Sequence, residues 1–91
     1  METRKFNFIN GQFNPLEAQE ILLDLHHKNI NFNKIKNFSS QVRFGEDDTK
    51  ALNQIEILQQ NTAHIATLVK EAKALNKNLV IHSFIEIEYE D

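Results

Sequence analysis

The chain has 91 residues, no cysteine and a net charge of −3 with its histidines neutral. That length holds one domain, residues 1–91, with a small core, and the missing cysteines exclude disulfides and thiolate metal sites as a source of extra stability. The acidic balance argues against sequence-independent nucleic-acid binding, which needs a positive field, without excluding a local basic patch.

The opening stretch, "METRKFNFING", has basic residues but no apolar run after them. No secretory leader and no membrane span are expected, and the expected compartment is the cytoplasm. Arg4 to Ile9 alternate around Phe6 and Phe8, which predicts a strand. Asn10-Gly11 then reads as a tight turn, because both residues tolerate positive φ.

A helix start follows. Asn14 is a good N-cap, Pro15 suits the first helical position, and Glu17 is placed to return a hydrogen bond to the cap. Leu16, Ile21, Leu22 and Leu25 mark a buried stripe with Ala18 beside it. His26, His27 and Lys28 suit the negative pole of the helix, and Asn29 reads as its left-handed stop. Roughly fourteen residues make a helix of about 21 Å.

Residues 30–44 carry two conflicting periods. Ile30 and Phe32 alternate like a short strand, whereas Ile35, Phe38 and Val42 sit at i, i+3 and i+7 like a helix. The expectation is an extended piece, a helical turn or two, then a loop ending at Gly45, pinned to the core by its apolar residues.

Asp47 or Asp48 caps a second, long helix. Ile55, Thr62 and Val69 are seven apart, and so are Leu58, Ile65 and Ala72, which builds an apolar seam. From about Asp48 to Asn76 the helix would be about 43 Å long. "NLVIHSFIEIEYED" then closes the chain as a strand. Leu79, Ile81, Ile85, Ile87 and Tyr89 share one face with Ser83, and Val80, His82, Phe84, Glu86, Glu88 and Glu90 share the other. Pairing the two terminal strands antiparallel brings Arg4 and Lys5 towards the closing acids, which favours that orientation.

The expected fold is α+β: two main helices, the second one long, packed on a small, mostly antiparallel sheet and completed by dimerisation. A compact globule of this size has a radius of gyration near about 12 Å, too small to shelter the long seam. A narrow sheet is marginal alone and its edges invite pairing. A two-fold homodimer mends both shortages. The interface expected on this ground involves Ile55, Leu58, Ile65, Val69, Ile85 and Ile87.

Little points to chemistry. His26 and His27 are adjacent and diverge by about 100° on a helix, and no metal-binding histidine spacing involves His64 or His82. No metal and no cofactor are expected. Glu86, Glu88, Glu90 and Asp91 read as a solvated strand face that discourages edge aggregation. There is no phosphate loop, nucleophile elbow or cysteine nucleophile. The stretch "NFSSQVRFGEDD" is the best candidate ligand site: Ser39, Ser40 and Arg43 form an anion-binding set. Its competing reading is structural, with Phe38, Val42 and Phe44 as anchors, Gly45 as a permissive backbone and Asp47 or Asp48 as a cap. Two functions stand side by side. One is a non-enzymatic cytoplasmic protein acting by self-association and protein-partner binding. The alternative is a small-ligand or anion-binding protein, or an enzyme with its site at a dimer interface involving residues 39–48. No nucleic-acid or membrane partner is expected.

Overall fold

A computed structural model describes residues 2–90. The chain runs β1 (Thr3–Phe13), α1 (Pro15–Phe44), α2 (Thr49–Ala74) and β2 (Leu79–Glu88). The fold is α+β, as expected: two long helices form an antiparallel hairpin, and two antiparallel strands pack at its open end. The molecule is an elongated slab of 50 × 32 × 14 Å with a radius of gyration of 16.4 Å. The compact globule expected from length alone is therefore corrected.

The start of α1 follows the local chemistry. Asn14 Oδ1 accepts from the Glu17 amide at 2.8 Å, Glu17 Oε1 accepts from the Asn14 amide at 3.0 Å, and Pro15 opens the helix. The expected stop at Asn29 does not occur. α1 continues for 30 residues, so the segment from Ile30 to Phe44 is helix rather than strand, turn and loop. Asn29 and Asn33 each bond back to the carbonyl one turn earlier, on Leu25 and Asn29 respectively. Asparagine in a helix interior costs under about 1 kcal/mol, which is less than burying Ile30 against a neighbouring helix contributes. Tertiary packing overrides the local stop signal.

The turn from α1 to α2 is closed by polar side chains. Gly45 takes a left-handed φ of 69° and donates to the Gln41 carbonyl. Asp47 Oδ1 accepts from Gln41 Nε2 at 2.7 Å. Asn37 Oδ1 accepts from the Asp48 amide at 2.7 Å, and Asp48 in turn caps α2 by accepting from the Ala51 amide. Replacing Asn37 with alanine strands the part-buried Asp48 amide and is expected to cost about 1–2 kcal/mol. A urea titration at fixed chain concentration checks this as a lower midpoint at unchanged slope. α2 ends in a Schellman motif, with Asn76 left-handed and the Lys77 amide bonded to the Ala72 carbonyl.

The core is thin. Its buried apolar residues are Ala18 and Ile30 of α1 with Ala51, Leu58, Val69 and Ala72 of α2, and among the described residues no large side chain is fully buried. Ile55, Thr62 and Ile65 are half-buried on the same stripe of α2. The seam read from the sequence is thus real, and α1 is its lid: a 30-residue helix runs the length of a 26-residue one. The expected shortage of internal cover along α2 is corrected on that ground.

β1 does not turn at Asn10-Gly11. It continues to Phe13, with Asn10 opposite His82 and Gly11 opposite Ile81. The irregularity falls two residues earlier. Between the pairs Asn7–Phe84 and Asn10–His82, two residues of β1 oppose Ser83 alone. This is a β-bulge, and the Ile9 amide donates to Ser83 Oγ at 3.1 Å. The polar residue interrupting the apolar row of β2 is the acceptor for the irregular strand.

Candidate functional site

The bulge has a consequence for the sheet surface. Alternation without it would put Phe6 and Phe8 on the face opposite Ile9, Gly11 and Phe13. With it, Phe6 stands opposite Ile85 and Arg4 opposite Ile87, while Phe13 stands opposite Leu79. These residues share one face of the two-stranded ribbon, because the odd-numbered residues of β2 all point the same way. One face is therefore mostly apolar along its length, interrupted by Ser83 at the bulge and by Arg4 at the tip. The other is mixed, with Lys5, Asn7, Asn10, Gln12, His82, Glu86 and Glu88 beside the exposed apolar Val80 and Phe84. Lys5 Nζ sits 3.8 Å from the centre of the Phe84 ring, and His82 Nδ1 lies 2.7 Å from Asn10 Oδ1. Thr3 Oγ1 donates to Glu88. Asp91, counted among the closing acids, lies outside the described residues.

Only half of the apolar face is covered. Near the helices Ile9, Phe13, Leu79, Ile81 and Ser83 are half-buried, and Leu79 to His82 adjoin Leu22, Ile65, Leu68 and Val69. Beyond the bulge every residue of both strands is exposed. Phe6, Ile85 and Ile87 remain 53%, 42% and 54% exposed. The ribbon is an arm rooted on the helical hairpin with its tip in solvent.

A second uncovered apolar strip lies on α1. Phe32, Ile35, Phe38 and Val42 are 63–68% exposed. Ile35, Phe38 and Val42 keep the i, i+3, i+7 spacing of one helix face, and their exposure sets that face away from α2. Lys34 and Lys36 flank Ile35 at about 100° to either side. From Asn29 to Phe44 the helix carries Lys34, Lys36 and Arg43 and no acid. The ribbon tip, by contrast, gathers Glu2, Glu86, Glu88 and Glu90 against Arg4 and Lys5.

The candidate anion set lies in the last turns of α1. Ser39 and Arg43 are exposed and Ser40 is half-buried. Arg43 sits at the negative pole of the helix, where a cation is stabilised by the carbonyl dipoles, while the neighbouring Asp47 and Asp48 are engaged by Gln41 and Asn37 and by the amide of Ala51. Asn37, Gln41, Asp47 and Asp48 are thus partnered within the turn beside the two serines and Arg43. Of the residues proposed for association, Leu58 and Val69 are buried and Ile55 and Ile65 half-buried along the α2 stripe, whereas Ile85 and Ile87 are exposed on the arm. Among the described residues no group of three histidine, aspartate or glutamate side chains is placed to hold a metal, and no helix is long and apolar enough to cross a membrane.

Sequence reading missed the strip on α1 as a continuous surface because it broke the helix at Asn29. The i, i+3, i+7 spacing of Ile35, Phe38 and Val42 was the available signal. It missed the unification of the ribbon face because an alternating pattern was extended without a bulge. Ser83, the one polar residue in an otherwise apolar row, was the signal there. Comparison with known proteins found no matching family model, no matching curated protein and no matching solved structure.

Proposed function

We propose that this chain is a small non-enzymatic assembly protein of the cytoplasm, which self-associates as a homodimer and binds protein partners through the surface so completed. One observation carries the reading. The accessible surface is 7447 Å² for a chain of 10.6 kDa. A compact monomer of that mass exposes about 5,500 Å². The excess of about 2,000 Å² per copy falls in the range that obligate homodimers bury, roughly 2,000–5,000 Å² over both copies. Large exposed apolar side chains stand on the arm, at Phe6, Ile85 and Ile87, and on the outer strip of α1, at Phe32, Ile35, Phe38 and Val42. Contiguous exposed patches of this kind mark association surfaces. The cytoplasmic setting rests on the cysteine-free sequence, which suits a reducing compartment.

Solution mass tests it. Light scattering over a wide concentration range is expected to give twice 10.6 kDa, with the dimer persisting on dilution. A mass of 10.6 kDa up to the highest soluble concentration overturns the reading.

A further inference from the structure

We infer that the occupant of the arm's bare apolar face is the outer strip of α1 in a second copy, and that the exchange is reciprocal. The inference rests on the self-association reading and names the surfaces that carry it. Three features of the chain and one symmetry argument converge on this pairing. The arm's apolar residues run from its own hairpin, where they are half-buried, to a tip where Phe6 and Ile85 face each other across the strands and stay 53% and 42% exposed. The strip on α1 lies in the half of the helix remote from the arm's root and stays 63–68% exposed, so its own arm does not cover it. A two-fold axis that runs the hairpins antiparallel sets the open end of one copy beside the closed end of the other, and each arm then reaches the partner's strip. Two-stranded arms of eleven and ten residues are about 35 Å long, ample to cross a helix about 10–12 Å wide.

Charge selects the same pairing. The strip is bordered by Lys34 and Lys36 in an acid-free stretch, and the arm tip carries Glu2, Glu86, Glu88 and Glu90 against Arg4 and Lys5, a net acidic balance. Neither lysine has an acidic partner within 4.0 Å among the described residues. Glu86 and Glu88 stand on the back of the ribbon, within a Debye length of about 8–10 Å of what its front covers, so they act as a field and not as buried pairs. An isologous contact repeats this match twice.

A charge exchange tests the seating. One variant carries Lys34→Glu and Lys36→Glu, so that strip and tip are both acidic. The other carries Glu86→Lys and Glu88→Lys, so that both are basic. All four positions are exposed, and circular dichroism confirms that each variant keeps its helices. Each variant alone is expected to dimerise at least about tenfold more weakly than the native chain, and an equimolar mixture is expected to recover a one-to-one heterodimer. If the native chain dimerises but each variant self-associates as well as the native and the mixture shows no preference, this seating is overturned while self-association stands. A native chain that is monomeric throughout removes both.

Discussion

Leu58→Ala is expected to lower the unfolding free energy by about 3 kcal/mol, within the range of roughly 2–5 kcal/mol for truncating a buried leucine. Leu58 stands near the middle of α2 and is one of the largest side chains in the buried set, which otherwise relies on Ile30, Val69 and three alanines. A chain of this length has roughly 5–14 kcal/mol in total, so the loss is a large share of its stability. At about 4–8 °C per kcal/mol, the thermal midpoint should fall by about 12–24 °C. Calorimetry or far-ultraviolet melting at matched chain concentration checks this. A loss under about 1 kcal/mol would show that the helix seam is not what holds the chain folded.

Ala18→Leu is the second large effect, and its sign depends on geometry. In an exposed helix position this exchange costs only tenths of a kcal/mol, since leucine is nearly as good a helix former. Ala18 is 0% exposed, in the first turn of α1, where the helices close on the root of the arm. The added carbons have no vacant space and must push α1 away from its neighbours. The expected cost is about 1–3 kcal/mol. The same melting measurement reads it, and an unchanged or raised midpoint would mean that the alanine contacts leave room the packing does not suggest.

These two residues also show what was legible from the chain. The α2 seam was readable because seven-residue spacing of Ile55, Leu58, Thr62, Ile65 and Val69 projects onto one stripe whatever packs on it. The capping box at Asn14 and Glu17 and a cap at Asp47 or Asp48 were readable because their bonds are local, whereas Gly45 was read as a loop end and not as the cap of α1. The antiparallel orientation of the terminal strands followed from cross-strand charge, and Lys5 does stand opposite Glu86. The length of α1 was not readable, because Asn29 and Asn33 satisfy their side chains within the helix only once α2 gives them a reason to stay helical. The bulge left a trace in Ser83, but its place in β1 was not readable, since the bond from Ile9 to Ser83 joins residues far apart in the chain. The anion set at Ser39, Ser40 and Arg43 drew notice for its residue types. Which residues surround it depended on where α1 ended.

The order of elements also bears on how the chain reaches this shape. Phe13 pairs with Leu79 and Thr3 with Glu88, so taken alone the ribbon would need a very long loop to close. Pairing the helices first, through a turn of four residues, already sets Asn14 and Pro15 beside Asn76 and Asn78. Most of the closure entropy is then spent before either strand forms a ladder bond, and what remains resembles zipping a hairpin from its root. The strands' free ends are the last part to organise and the first to fray, which leaves the reach of the arm adjustable while the helical base stays fixed.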